Sequence, residues 1–187
     1  MIAEDLPKLQ ENQKSYAGIP ECKFVQDVDA FMAQTANNSV ELVLKQLDEQ
    51  HSKYKFMEYN ILARKRRLRT QIPDLTKSLD MIKILKNQAE SLDTQTLLSE
   101  QVFVKAVIPP TKTVCLWLGA NVMLEYELAE AEKLLKQNIT AAIENLKCLE
   151  HDQEFLRDQL TTTEVNMARV YNWDVKRREA QGKTTLQ

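Results

Sequence analysis

Two long heptad-phased stretches constrain the fold of this chain more than any other feature. They cover about residues 40–92 and 128–178, and they flank a short segment rich in strand-forming residues. Apolar residues at alternating steps of three and four are typical of coiled-coil helices. A lone helix of this kind would leave its apolar stripe in water, so each needs a partner. We therefore expect a mainly α fold: a long antiparallel coiled-coil hairpin of two helices, with two β-hairpins (four short strands) at the bend.

Composition supports long elements and excludes several classes of protein. The 187 residues include only 3 Gly and 5 Pro, which argues for few turns. The net charge of −2 is unlike that of a nucleic-acid-binding protein, so we expect no nucleic acid as partner. The longest strongly apolar run, around Val114–Leu118, is too short to span a bilayer, so we expect no membrane. Three cysteines without a CxxC pair, and no apolar signal segment, favour a cytoplasmic location.

The first coiled-coil helix is predicted over residues 39–93, after an N-terminal arm (1–38) with a short amphipathic helix from about Phe24 to Met32. Its d positions are all apolar or aromatic: Leu47, Tyr54, Ile61, Leu68, Leu75, Ile82 and Ala89. The a positions are mixed, which indicates a helix held along one narrow stripe. Pro73 lies in the middle of this pattern, and a helix-interior proline costs about 3 kcal/mol. We expect a bend or local break near residues 71–74.

The second coiled-coil helix is predicted over residues 128–178, followed by a flexible tail (179–187). Its seam is apolar at nine of eleven positions: Leu135, Ile139, Ala142, Leu146, Leu149, Gln153, Leu156, Leu160, Thr163, Met167 and Val170. In an antiparallel hairpin, the numbers of facing residues should add up to about 220. The basic run Arg64–Arg69 would then face the acidic residues 150–158, and such complementary charges fix orientation and register.

Residues 94–127 are predicted to form the strands and to mediate oligomerisation. Strands are expected at about 95–98, 101–108, 113–118 and 121–127, with Gly119-Ala120-Asn121 at a hairpin turn. The candidate assembly residues are Val102, Val104, Val107, Val114, Leu116, Trp117, Leu118, Val122 and Leu124. Isolated two-stranded ribbons are marginal in water, and we expect the chain to supply no layer that covers either face. Strands of other subunits would then cover the faces and pair with the edges.

Four sequence strings resemble a known family. They are LDEQHSKYKFMEYN, RRLRTQIPDL, TKTVCLWLGANVMLEYEL and FLRDQLTTTEVNMARVYNWDVKRR. They look like the α-type subunits of prefoldin, a co-chaperone, and the resemblance extends over about residues 18–178. Strings of this length are far more specific than heptads alone.

The resemblance implies a function without catalysis. It implies a hetero-hexamer of two α-type and four β-type prefoldin subunits, whose hairpins build a platform that carries six coiled coils. Their tips would hold unfolded actin and tubulin and pass them to the cytosolic chaperonin. Such a complex uses no ATP, and the sequence has no GxxxxGK[ST] loop. We accordingly expect no enzyme activity, no cofactor and no metal.

Aromatic and methionine side chains near the far ends of the helices are the candidate client-binding residues. They are Tyr54, Phe56, Met57, Tyr59, Met167, Tyr171 and Trp173. Residues 54, 56, 57 and 59 cannot all face one seam, so some must be exposed, and such side chains suit varied clients. The alternative is that Tyr54, Met167 and Trp173 simply close the end of the seam.

Other functions were weighed from the same residues. The run Arg64–Arg69 is also typical of a nucleic-acid patch, although the acidic block predicted opposite favours a paired coil face. Cys148 and His151 supply two metal ligands where a structural zinc site needs four. The main rival function is a coiled-coil tether or scaffold that dimerises through its helices and binds folded partners. The two apolar hairpins argue against it, because a tether has no need of them.

Overall fold

The computed structural model describes residues 16, 18–34 and 39–184. The elements, in chain order, are α1 (Val28–Met32), α2 (Val40–Asn87), β1 (Leu92–Ser99), β2 (Val102–Ile108), β3 (Thr113–Gly119), β4 (Val122–Glu127) and α3 (Leu128–Thr184). The predicted fold class, two long helices with two antiparallel two-stranded sheets, is confirmed. The chain forms two compact units: Arg66–Lys147 is one, and the residues before and after it form the other.

The unit made by the two ends of the chain contains the first half of α2 and the second half of α3, packed antiparallel. Its apolar seam buries the predicted d residues Leu47, Tyr54 and Ile61 against Leu156, Leu160 and Val170. Polar contacts fix the register: His51 Nε2 lies 3.0 Å from Glu164 Oε1. Lys65 Nζ donates to Gln153 Oε1 at 2.6 Å and lies 3.5 Å from a carboxylate oxygen of Glu150. The predicted register is confirmed at both places, and Lys65 is the basic member of its run that lies in the seam.

The unit Arg66–Lys147 contains the rest of both helices and all four strands. Its core joins Leu79 and Ile82 of α2 to Leu128, Ala131 and Leu135 of α3. Lys86 Nζ donates to Glu132 Oε2 at 2.9 Å, in the same antiparallel register. Pro73 lies inside α2, which continues through it, so of the predicted bend or local break the break is wrong and the bend stays a prediction. Half-buried seam residues on either side, Ile72 and Leu75, supply the packing that holds this turn.

Three predicted helix boundaries are also wrong. The last turn of the first helix was placed at 88–93, but α2 ends at Asn87 because Gln88 Nε2 donates to the Ile108 carbonyl and Leu92 already pairs with Ile108 in the sheet. The tail from 179 was expected to be flexible, but α3 continues to Thr184. The short helix of the arm begins at Val28, because Asp27 accepts the N–H groups of the first turn and ends the extended segment before it.

The four strands form two hairpins with sharp turns. Thr113 pairs with Glu127 and Trp117 with Met123, and a bulge at Leu118 shifts the register just before the turn. The two turn residues, Ala120 and Asn121, have φ values of 49° and 60°, as a type I′ hairpin turn requires, and Gly119 before them has a φ of 95°. The predicted turn is therefore in place. The backbone N–H of Leu128 donates to the Lys112 carbonyl at 3.1 Å, which ties the start of α3 to the start of β3.

Candidate functional site

More than half of the large apolar side chains that the described residues expose lie on the four strands and form what we call the hairpin surface. We use this name for the exposed apolar side chains of the four strands: Leu97, Leu98, Val102, Phe103, Val104, Val107, Trp117, Leu118, Val122, Met123 and Leu124. Seven of the nine predicted assembly residues lie in it. Sequence reasoning missed the other four members of the surface, which are Leu97, Leu98, Phe103 and Met123; Leu98 and Phe103 are 72% and 63% exposed. Phe103 could have been predicted as an assembly residue, because it lies in a predicted strand and its side chain must therefore lie on one face of the sheet or the other.

Val114 and Leu116, the other two predicted assembly residues, lie on a covered face. Together with Tyr126 they pack against the core of Leu79, Ile82, Leu128, Ala131 and Leu135. The expectation that the chain would supply no covering layer is therefore wrong for this face of β3–β4. The reason is tertiary: the end of α2 and the start of α3 present apolar residues to the sheet. The opposite face, which carries Trp117 and Met123, stays exposed.

The strand edges add polar binding capacity to this surface. Each described sheet has two strands, so β1, β2, β3 and β4 each pair on one side only. Free edges of this kind present rows of N–H and C=O groups that can pair with strands of another chain. The hairpin surface can therefore bind both by apolar packing and by strand addition.

Phe56 and Tyr59 form an exposed aromatic pair on α2. Their side chains are 67% and 71% exposed, and the spacing of three places them on one face of the helix. Tyr171 on α3 is also exposed. Because α2 and α3 run antiparallel with His51 beside Glu164, Tyr171 lies near the level of Leu44 and not near the aromatic pair. The structure thus brings two of the seven candidate client-binding residues together on the surface.

The other four candidate client-binding residues pack inside. Tyr54 has no exposed surface and lies in the seam. Met57 is half-buried against the same cluster, and Met167 and Trp173 are half-buried against the cluster at Val43, Leu47 and Val170. These side chains help to close the seam, as the alternative interpretation expected. A proposal for client capture has to rest on the exposed aromatics.

The N-terminal segment lies along the paired helices and completes their core. We call residues 19–26 the strap. Ile19 is buried among Tyr54, Ile61, Leu156 and Leu160, and Cys22 packs against the same cluster. Further along, Val25 is buried as well. The strap runs parallel to α3, because its successive contacts fall on successive turns of that helix.

Side chains of the two helices bind the backbone of the strap. Tyr54 Oη donates to the Pro20 carbonyl at 2.7 Å. Gln159 Oε1 accepts the Cys22 N–H at 2.7 Å. Asn166 Oδ1 accepts the Val25 N–H at 2.9 Å, while its Nδ2 donates to the Lys23 carbonyl at 2.8 Å. Arg169 donates to the Gln26 carbonyl at 2.7 Å.

Sequence reasoning missed this second stripe of α3. Gln159 and Asn166 are 7% and 1% exposed, although polar side chains beside a seam normally face water. A signal was present: the two amides lie one heptad apart, each next to a seam residue, with Thr163 between them. The signal was weak because their partners are backbone groups, which carry no sequence signature.

Two titratable groups in this unit have pKa values shifted by burial. Burial raises the pKa of the Tyr54 hydroxyl, against a smaller lowering by its hydrogen bond from Gln50. Burial also raises the pKa of Asp152, against a smaller opposing effect of His151. In the other unit, hydrogen bonds from Lys136 and Lys86 lower the pKa of Glu132 to about 2. The pKa shifts of Tyr54 and Asp152 thus come from burial, and that of Glu132 comes from hydrogen bonds. These groups do not form a reactive cluster.

Neither a metal-binding cluster nor a membrane-spanning helix is found in the part of the chain that the structure describes. Across residues 16, 18–34 and 39–184, no three or more His, Cys, Asp or Glu side chains come together in a way that could hold a metal ion. None of the described helices is both long and apolar enough to pass through a membrane.

Comparison with known proteins assigns the family. The family described as "Prefoldin: Prefoldin subunit" matches residues 54–173. Prefoldin subunit 3 of Drosophila melanogaster is 62% identical over 185 residues, 99% of this chain and 95% of the relative. Prefoldin subunit 3 of Homo sapiens is 54% identical over 175 residues, 92% of this chain and 89% of the relative.

A solved structure supports the same fold. The cryo-EM structure of filamentous PFD from Methanocaldococcus jannaschii superposes with a TM-score of 0.50 at 23% identity, covering 61% of this chain and 94% of that one. At this identity the likeness concerns the fold alone. Prefoldin subunits are chaperone components and not enzymes. The chain belongs to the prefoldin subunit family.

Proposed function

We propose that this chain is one of the α-type subunits of a cytoplasmic hetero-hexameric prefoldin that contains two α-type and four β-type subunits. Through its hairpin surface it assembles with the other subunits. Its coiled coil captures non-native polypeptides, actin and tubulin among them, and passes them to the cytosolic chaperonin. No ATP is consumed, because binding and release need only weak contacts.

Exposed apolar side chains and strand edges on the two β-hairpins support the proposal that the chain assembles with other subunits. The hairpin surface exposes large apolar side chains, among them Trp117 at 60% and Phe103 at 63%. Exposed apolar side chains concentrated in this way, eleven on four short strands, are typical of protein–protein interaction sites. Strand edges from neighbouring subunits would pair with β1–β4 and cover the surface at the same time.

Capture is supported by one observation above the others: the aromatic pair stays exposed although the seam beside it is filled. Tyr54 and Met57 on the same helix already pack inward, so Phe56 and Tyr59 contribute nothing to closing the coil. Exposed aromatic side chains give adaptable apolar contacts. Several such weak contacts from different subunits would hold one client by avidity.

The rival function is a tether that dimerises through its helices, and the described helices leave no free apolar seam for that dimerisation. The seam residues of α2 and α3 are buried against each other within one chain in both units. A second copy would find no free apolar seam among the described residues. The hairpin surface, which a tether does not need, is the part left exposed.

Replacing Phe56 and Tyr59 together with Ser tests the capture proposal. In the co-expressed complex, this double variant should hold unfolded actin less well, by roughly thirtyfold in affinity, because two lost aromatic anchors at about 1 kcal/mol each add up to about 2 kcal/mol. The measurement is suppression of actin aggregation on dilution from denaturant, titrated against complex concentration.

The matched control replaces Met81 and Ile84 with Ser. These two are 45% and 50% exposed, lie on the same helix at the same spacing of three, and belong to the other unit. The control complex should capture as the unsubstituted complex does. Equal capture by all three complexes would remove the aromatic pair from the client-binding surface.

A further inference from the structure

The strap is held in the way a bound peptide would be. Its inward side chains recur every third residue: Ile19 and Val25 are buried, and Cys22 between them is half-buried. Its backbone contacts repeat with the same period, since the N–H groups of residues 22 and 25 and the carbonyls of residues 20, 23 and 26 are bound. A repeat of three is that of an extended, left-handed polyproline II chain, which has no hydrogen bonds of its own. The Ile19 N–H is used within the N-terminal segment, where it donates to the Tyr16 carbonyl. The backbone groups that the helices bind belong to residues 20, 22, 23, 25 and 26.

The spacing of the helix side chains matches this period. Gln159 and Asn166 bind N–H groups three residues apart in the strap, and they lie one heptad apart on α3. At 1.5 Å per residue a heptad rises about 10.5 Å, and three residues of polyproline II rise about 9.3 Å. The two repeats agree to within the reach of an amide side chain. The groove can thus read an extended backbone at regular intervals.

Recognition in this groove depends little on the side chains of the occupant. The receptor groups bind backbone atoms, and the inward side chains are small or medium apolar ones. Lys23 and Phe24 between them are exposed. Any extended segment with small apolar residues at every third position could make the same contacts. This chemistry describes a non-native polypeptide as well as it describes the strap.

We propose that the groove between α2 and α3 lined by Tyr54, Gln159, Thr163 and Asn166 is a binding site for extended polypeptide, and that the strap is its built-in competitor. A client segment displaces the strap and takes over its backbone hydrogen bonds. The inference rests on the proposed function, since it names where and how part of a client would bind. Competition by a tethered segment also lowers the apparent affinity for any one client, which favours release.

Val25→Pro in the assembled complex tests the competition. Proline removes the N–H that Asn166 accepts, and an extended segment tolerates its fixed φ. The strap should be loosened, so the affinity for unfolded actin should rise by roughly two- to tenfold, the range for one lost hydrogen bond. Lys23→Pro is the matched control, because the Lys23 contact to Asn166 is made by its carbonyl and survives. A strap with a purely structural role predicts equal or weaker capture by Val25→Pro.

Adding Asn166→Ala to Val25→Pro tests the groove. With the strap loosened, clients should use the Asn166 amide, so the double variant should lose the gain of Val25→Pro. Retention of the full gain would contradict client binding in the groove. Helicity by circular dichroism reports whether the helices stay folded in the double variant, in which Val25→Pro lies outside the helices and Asn166→Ala lies within α3.

Cys22 gives a direct readout of displacement in the unsubstituted complex. Its thiol lies 3.2 Å from Thr163 Oγ1 under the strap, and Cys148, also half-buried, serves as reference. Unfolded actin should raise the alkylation rate of Cys22 by roughly two- to tenfold and leave that of Cys148 unchanged. If actin is captured and Cys22 stays equally protected, the displacement is wrong while the proposed function stands. If the complex captures no actin at all, the proposed function itself fails.

Discussion

At the scale of single residues, burial separates the polar side chains of α3 into satisfied and unsatisfied ones. Gln159 and Asn166 are buried and each binds the backbone of the strap. Asp152 is 2% exposed, and its Oδ1 accepts no hydrogen bond within the described residues. Buried polar atoms without partners cost stability, and charged ones cost more. The buried carboxylate of Asp152 therefore lowers the free energy of unfolding of this unit.

Asp152→Asn should stabilise the unit at neutral pH. Burial raises the pKa of Asp152 in the folded state above its unfolded value. The folded chain therefore binds more protons between these two pKa values, and stability falls as pH rises through that window. The amide removes the buried charge, so the melting temperature of the complex should increase at pH 7. The difference should shrink below about pH 4, where the unfolded carboxyl is protonated too.

The control for this prediction is Asp158→Asn, which neutralises an exposed carboxylate on the same helix. Its melting temperature should follow that of the unsubstituted complex at both pH values. A lower melting temperature of Asp152→Asn at pH 7 would contradict the account, because it would mean that the carboxylate makes a favourable interaction there.

At the scale of elements, heptad spacing predicted the helices and their register. Lys65 meets Glu150 and Gln153, and Lys86 meets Glu132, within a few residues of the predicted pairing. The strap was not predictable in the same way. Its contacts run from side chains to backbone, and its inward residues repeat every three positions, a period shared with neither helix nor strand. The cover over Val114 and Leu116 was missed because it depends on how α2 and α3 meet a sheet.

Pro73 gives a prediction at this scale. The residue lies inside α2, has no N–H to donate and crowds the preceding turn. Pro73→Ala should stabilise the complex by about 1–3 kcal/mol, seen as a higher midpoint of thermal unfolding. Gln71→Ala, an exposed change in the same turn, is the control and should shift the midpoint by less than about 0.5 kcal/mol. A lower midpoint for Pro73→Ala would indicate that α2 needs the proline geometry for its packing.

At the scale of the whole molecule, the candidate functions divide between the two units. The unit Arg66–Lys147 carries the hairpin surface, and the other unit carries the aromatic pair and the strap. In both units the apolar seams between α2 and α3 are consumed within one chain. The large apolar surface that remains lies on two-stranded sheets, which are marginal without further strands. This surface is what makes association with other chains a physical requirement.

Native mass spectrometry of the tagged chain purified from cells tests this requirement most directly. We expect a six-membered heteromer of small coiled-coil subunits that contains this chain. Trp117→Asp should abolish that heteromer, because it buries a charge in the hairpin surface. Leu62→Asp, at an exposed apolar position of α2, should leave it intact. A stable, soluble monomer of the unsubstituted chain, or a heteromer that survives Trp117→Asp unchanged, would contradict the account.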